Sequence, residues 1–156
     1  MPITYQQESL VTVMSEIDEL AKMEWEEVQH DTDQKNLEPD WDTYLILEDR
    51  GYLKIFTARF CGKLVGYFFA TINPDLHSKG NFFVGNDAIF LHPDYRKGRV
   101  GIKLFQFTEK CLAEDGYDRL YVTTTEKNKI DSLMLHMGYN KVETRFLKKI
   151  GKENAR

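Results

Sequence analysis

Apolar positions along this chain switch between two periods, and the switches mark out its elements. Leu10, Val13, Met14, Ile17, Ala21, Trp25 and Val28 recur at spacings of three and four, which predicts a long amphipathic helix with one buried face. Ahead of it, Ile3-Thr4-Tyr5 reads as a short first strand. Residues 29–38 are polar and predict a loop. Pro39 then suits the first turn of a second helix carrying Trp41, Tyr44, Leu45 and Leu47, and Gly51 stops it. The period next falls to that of strands. Residues 54–60 and 64–72 predict two strands joined by a hairpin at Cys61-Gly62-Lys63, and Asn73-Pro74-Asp75 breaks the second. Residues 82–91 predict a third strand. Helical spacing returns with Val100, Leu104, Phe105, Thr108, Cys111 and Leu112, ended by Gly116. A β-branched strand over 119–125, a short helix over 131–137 stopped by Gly138, and a closing strand over 142–150 complete the pattern.

The resulting order is strand–helix–helix–three strands–helix–strand–helix–strand, a mixed α/β chain. No repeat or interdomain linker interrupts it, so residues 1–150 read as a single domain and 151–156 as a tail expected to fray. At 156 residues, with 42% hydrophobic and 13% aromatic content, the chain can bury a sizeable core and is not a disordered sequence. A net charge of −4 argues against general nucleic-acid binding, which needs a basic footprint. No basic, then apolar, leader opens the chain and no apolar run approaches membrane-spanning length. A cytoplasmic protein with no membrane partner is expected. Cys61 in a turn and Cys111 on a helix face read as plain thiols, in no metal spacing. His30, His77, His92 and His136 are scattered, so no metal site is readable.

The segment that carries chemistry is Leu91-His92-Pro93-Asp94-Tyr95-Arg96-Lys97-Gly98-Arg99-Val100-Gly101. It follows the apolar run Ala88-Ile89-Phe90-Leu91 and runs straight into a helix. A strand, a basic glycine-bearing turn and a helix start together aim unpaired backbone N–H groups at an anion. Arg96, Lys97 and Arg99 add charge to the helix dipole, which suits a phosphorylated ligand. An exposed basic turn with no ligand would read the same way. Neither G-x-G-x-x-G nor G-x-x-x-x-G-K-[ST] is present.

This segment resembles the acetyl-CoA signature of the GNAT superfamily of N-acetyltransferases, in which V-x-P-x-x-R runs into [QR]-x-x-G-x-[GA]. Arg96 takes the first position of the second motif and Gly101 the last; the fourth is Arg99, with the glycine one place earlier at Gly98. The element order above is also what the resemblance implies. It implies a GNAT-like mixed, largely antiparallel α+β sheet flanked by helices, with the strand before the glycine loop splayed from the next. Acetyl-CoA is the implied co-substrate and an amine the implied acceptor. The backbone of Ile89, Phe90 and Leu91 would pair with pantetheine, and the loop Arg96, Lys97, Gly98, Arg99, Val100 and Gly101 would hold the pyrophosphate. Asn128 would cap the next helix and reach pantetheine. A looser resemblance, in Trp25-Glu26-Glu27, Leu37-Glu38-Pro39-Asp40-Trp41 with Tyr44, and Asn86-Asp87, is to small GNAT proteins of tailed bacteriophages. It would place the chain in a host cytoplasm.

The chemistry so implied is attack of an amine on a thioester. A lysine-type amine has a pKa near ~10.4, so a base or water relay must take its proton. Asp87 is the expected base. It sits in an apolar strand, on the side of Phe83, Ile89 and Leu91 by strict alternation, where burial beside aromatics would raise its pKa. The structural alternative is that Asp87 caps a bulge or pairs with a cation. His77 is a second candidate base. The main-chain N–H of Leu91 or Phe90 would hold the oxyanion. The resemblance also implies a tyrosine in the last helix as acid, yet Leu133-Met134-Leu135-His136-Met137-Gly138-Tyr139 has Met134 there. Tyr121, His136, Tyr139 or water would then serve, or no acid is needed, or activity is lost. In that last case the chain is a weak or inactive acyl-CoA-binding or protein-interaction module. Glu24, Glu26, Glu27, Asp40 and Asp42, with Trp25, Trp41 and Tyr44, suit a cationic acceptor, or form an ordinary solvated face. A homodimer is left open.

Overall fold

Strand pairing in the computed structural model, which describes residues 2–28, 37–127 and 129–151, follows chain order across one five-stranded sheet. Strands β1 (Ile3–Glu8), β2 (Leu53–Phe60), β3 (Lys63–Pro74) and β4 (Phe82–Leu91) are antiparallel neighbours. β5 (Leu120–Tyr121) joins β4 in parallel. The mixed, mostly antiparallel sheet expected from the sequence is therefore present.

Both faces of this sheet are covered, which is why β2 and β3 are nearly continuously buried rather than buried at alternate residues. On one face, Leu10, Val13, Ile17 and Leu20 of helix α1 (Leu10–Val28) pack on Ile55, Tyr67, Phe69 and Phe90, with α2 (Trp41–Asp49) beside them. On the other, Leu104, Phe105 and Leu112 of α3 (Val100–Glu114) and Met134 of α4 (Asp131–His136) cover Phe56, Phe68, Ala70, Ile72 and Val84. Each such side chain contributes roughly 1.5–3 kcal/mol by leaving water. The β2–β3 hairpin turns on Cys61 and Gly62, both at positive φ, as a two-residue loop that continues the strands' twist requires.

Several boundaries differ from the periodic reading. α2 starts after Asp40, whose carboxylate accepts from the Thr43 N–H at 3.0 Å, so Pro39 precedes the cap instead of opening the helix. The predicted strand over 119–125 shrinks to two residues. Residues 142–150 form no strand: Val142, Phe146, Leu147 and Ile150 are exposed and no ladder receives them. Strand structure needs a paired edge as well as strand-forming residues, and β5 presents only two residues of it. Most of the predicted 29–38 loop, including His30, lies outside the described residues, as does the tail beyond Gly151.

Candidate active site

The sheet opens between β4 and β5. Their ladder is limited to Val84 with Leu120 and Gly85 with Tyr121. Immediately beyond it, the Asn86 side chain takes over the pairing: Oδ1 accepts from the Thr123 N–H at 2.7 Å and Nδ2 donates to the Thr123 carbonyl at 3.2 Å. A side chain standing in for main chain holds the two strands apart, so the outer edge of β4 from Asp87 onward faces a gap. This is the expected splay.

Antiparallel pairing decides which N–H groups enter the gap. His92 donates to the Val65 carbonyl at 2.8 Å, and the register sets Gly66, Tyr67 and Phe68 opposite Leu91, Phe90 and Ile89. Hydrogen-bonded and non-bonded pairs alternate along such a ladder. Phe90 therefore spends its N–H on Tyr67, whereas Ile89 and Leu91 turn theirs toward the gap. Of the two groups expected to face an oxyanion, Leu91 is the one the ladder leaves free, and Phe90 is not.

Asp87 is the extra residue of a β-bulge, since Phe69 pairs with Ala88 and Ala70 with Asn86. The bulge resets the alternation. Ala88 and Phe90 join the α1/α2 face and Ile89 the α3 face, while Asp87 meets Tyr44 of α2. Asp87 thus points away from Ile89 and Leu91, contrary to strict alternation. It is also exposed, so the burial expected of it is absent. The Tyr44 hydroxyl donates to Asp87 Oδ2 at 2.5 Å.

The more enclosed carboxylate of the site is the half-buried Glu24. It projects from the last turns of α1 into a cleft of about 130 Å³ lined by Trp25, Trp41, Tyr44, Tyr67, Phe69 and Ala88, among others. The Tyr67 hydroxyl donates to Glu24 Oε1 at 2.8 Å, and the Ile89 N–H donates to the same carboxylate. Burial pushes the Glu24 carboxyl up to about 7; the Tyr67 and Ile89 bonds pull the other way, and the Asp87 charge adds to the rise. Burial also raises the hydroxyls of Tyr67 and Tyr44, helped by the neighbouring carboxylates. The sequence reading placed Glu24 among acidic acceptor residues and missed it as a titrating group. Its one visible signal was a carboxylate next to Trp25 and three residues after Ala21, on the buried stripe of α1.

The other four acids of that group do not reach the cleft's inner end. Glu27 takes a two-pronged bond from Arg96 at 2.8 and 2.9 Å, Asp40 caps α2, and Glu26 and Asp42 are exposed. Arg96 also donates to the Leu91 carbonyl at 2.8 Å and lies over the Phe90 ring. Its side chain therefore clamps β4 to α1, while Lys97 and Arg99 are exposed cations of the loop outside that clamp. Gly98 has a φ of +82°, and Arg99 caps α3 without a side-chain bond, so the N–H groups of the first turn lack a side-chain acceptor there. A Cβ at Gly101 would meet nothing nearer than a Leu91 methyl at 3.6 Å.

Met134 is 7% exposed and packs in the α3-side core, so it fills space on the opposite face from the cleft. Tyr139 donates to Glu109 on α3 at 2.5 Å, and His136 is exposed. Of the three residues considered as acids, Tyr121 is the one on the sheet beside β4, paired with Gly85 and edge-on to Phe83 at 5.3 Å. His77 lies exposed in the β3–β4 turn, at the other end of β4 from Leu91. Asn128 lies outside the described residues. Among the described residues no group of three or more His, Cys, Asp or Glu could hold a metal, and no helix is long and apolar enough to cross a membrane.

Comparison with known proteins agrees with this geometry. Residues 14–139 match the family model described as acetyltransferase (GNAT) family. No curated protein matches the chain. Among solved structures it is similar to a ribosomal-protein-alanine N-acetyltransferase from Brucella melitensis biovar Abortus 2308, with 16% identity, 96% of this chain and 100% of that one covered, and a TM-score of 0.71. An aminoglycoside acetyltransferase, HMB0005, from an uncultured soil metagenomic sample gives 15% identity, 97% and 100% coverage, and a TM-score of 0.74. The aminoglycoside N-acetyltransferase AAC(6')-Iy, solved with CoA, gives 20% identity, 96% and 95% coverage, and a TM-score of 0.70.

Proposed function

The chain belongs to the acetyltransferase (GNAT) family, and from that premise we propose that it transfers the acetyl group of acetyl-CoA directly to a primary amine held between α1, α2 and the β4 bulge. The residues present fit that co-substrate. The α3 first turn offers N–H groups beside exposed Lys97 and Arg99, a setting for a pyrophosphate. The gap beside β4 offers the Ile89 carbonyl to pantetheine and the Leu91 N–H to the acetyl group that it carries. This reading takes residues 1–150 as one acetyltransferase domain working in the cytoplasm.

The observation that carries the proposal is the Glu24 carboxylate. It enters the aromatic cleft beside Ala88 of the splayed strand, takes the Tyr67 hydroxyl's hydrogen bond at 2.8 Å, and is pushed by burial up to about 7. A base poised near neutrality is matched to removing an ammonium proton. In this assignment Glu24 takes the proton and the Leu91 N–H supports the charge that develops on the acetyl oxygen. Asp87, held by Tyr44, adds the negative charge that draws the ammonium in. Catalysis then rests on residues of β4 and α1, and a methionine at position 134 is no argument for a binding-only module.

Two measurements test it together. Calorimetric titration is expected to give saturable binding of acetyl-CoA and CoA but not ATP. A thiol-release assay with primary amines is expected to give turnover that needs both substrates. Saturable acetyl-CoA binding with no transfer to any amine would overturn the proposal in favour of a binding module.

A further inference from the structure

Residues 23–28, the end of α1, include Glu24, Glu26 and Glu27 and no basic residue. Carboxylates at a helix C-terminus oppose its dipole, so the sequence of α1 alone holds this turn poorly. Two cations from elsewhere hold it. Lys127, on the chain after β5, donates to the Glu26 carbonyl, one of the last four carbonyls of the helix. Arg96, on the loop after β4, grips the Glu27 carboxylate with Nη2 at 2.8 and 2.9 Å. The two come from opposite sides of the β4–β5 gap, so the end of α1 is tied to both.

Arg96 does more than hold Glu27. Its Nε donates to the Leu91 carbonyl at 2.8 Å, and its guanidinium lies 5.2 Å from the Phe90 ring centre. The Phe90 ring stands 6.2 Å from the Tyr67 ring, and the Tyr67 hydroxyl reaches Glu24 at 2.8 Å. Glu24 and Glu27, three residues apart, share one side of α1. The contacts therefore close a circuit from Glu24 through Tyr67, Phe90, Arg96 and Glu27, with one turn of helix as the last link. The Arg96 main-chain N–H is also engaged, donating to the Pro93 carbonyl at 3.2 Å. Lys97 and Arg99 are exposed and stand outside the circuit.

Resting on Glu24 as the base, we propose that Arg96 is a positioning residue for acetyl transfer and not a pyrophosphate ligand. Through Glu27 it sets where Glu24 stands, and through the Leu91 carbonyl it sets the end of β4 whose N–H faces the acetyl oxygen. A misplacement of about 1 Å can cost ~10²-fold in rate. The sign of one titration separates this role from a purely electrostatic one. Tyr67 of β3, Asp87 of β4, Tyr44 of α2 and Glu27 of α1 are the titratable groups around Glu24. Loss of a neighbouring cation would by itself make the Glu24 carboxyl harder to ionise. Loss of its positioning admits water to Glu24 and makes ionisation easier.

The test follows the Glu24 carboxyl by ¹³C NMR against pH, with Glu24→Gln assigning the signal. In Arg96→Gln the midpoint is expected to fall about one pH unit or more from its parent value near 7. By calorimetry, acetyl-CoA affinity should stay within about twofold in Arg96→Gln but weaken about tenfold in Lys97→Gln. With spermidine, kanamycin and phenylalaninamide as probes in thiol release, kcat should fall about tenfold in Arg96→Gln. Adding Glu27→Gln should lower it no further, since Glu27 acts through Arg96. An unmoved or raised midpoint, or acetyl-CoA affinity lost as in Lys97→Gln with kcat retained, overturns the inference and leaves amine transfer standing. A parent midpoint near the ordinary 4.5 instead removes Glu24 as the base, and the positioning role with it.

Discussion

Tyr44 and Asp87 meet across the α2–β4 boundary, the hydroxyl donating to Oδ2 at 2.5 Å. The contact exists because Asp87 is the bulged residue of β4; an unbulged strand would have turned it to the α3 face. Tyr44 is itself fixed edge-on against Phe69 at 5.8 Å. An exposed carboxylate is thereby held in one place at the mouth of the acceptor cleft.

Asp87→Asn is expected to raise the KM for the amine about tenfold while leaving acetyl-CoA affinity unchanged, because it removes an attracting charge and keeps the shape. Steady-state kinetics with the amine varied, beside calorimetry with acetyl-CoA, checks this. If kcat falls instead by roughly 10²–10⁴-fold and the acidic limb of the pH–rate profile disappears, Asp87 is the base and Glu24 is not.

Glu24→Gln should cost kcat roughly 10²–10⁴-fold, the range of a general base. In the parent protein kcat/KM should drop as pH falls below about 7, where the Glu24 carboxyl gains its proton. Stability should move the opposite way. With its folded pKa above the unfolded value, Glu24 binds more protons in the native state between about 4.5 and 7, so it costs stability as pH rises through that window. The cost at pH 8 is at most ~3 kcal/mol, and Glu24→Gln is expected to raise the Tm there but not at pH 4. An equal Tm change at both pH values would remove this linkage.

Gly101 separates fold from ligand. Gly101→Ala should fold normally, since its new methyl meets only a Leu91 methyl at ordinary contact distance. Gly101→Glu should keep the fold by circular dichroism yet lose acetyl-CoA binding at micromolar protein, because it sets an anion against an anion where charge-assisted bonds are worth roughly 1.5–3 kcal/mol each. Unchanged affinity in Gly101→Glu would move the pyrophosphate off this loop.

Met134→Tyr tests whether the absent tyrosine limits the reaction. Met134 is a core filler, so a larger polar side chain should cost about 1–3 kcal/mol in urea unfolding. Turnover by thiol release should change little, because the coenzyme A thiol is acidic enough to leave as thiolate. A rise toward ~10²-fold would mean that a missing acid had been limiting.

Period and punctuation in the sequence were enough for α1, β2, β3, β4 and α3, because each buries a stripe or a whole strand. The glycine loop was equally legible, since a helix start behind a basic turn is a local matter of a few residues. What depended on partners was not. Residues 142–150 read as a strand yet join no described ladder, and β5 shortens because Asn86 takes the place of main-chain pairing. Strict alternation put Asp87 on the wrong face because a bulge is a property of two strands in register, invisible in one. Glu24 looked like one acid in an acidic helix. Its burial, its bonds to Tyr67 and Ile89, and hence its titration near neutrality arise only where α1 lies against the splayed edge of β4. Local order along the chain determined the elements and the anion-binding loop, whereas the acceptor cleft and its proton acceptor are products of packing, since desolvation acts on a carboxylate only once distant residues close around it.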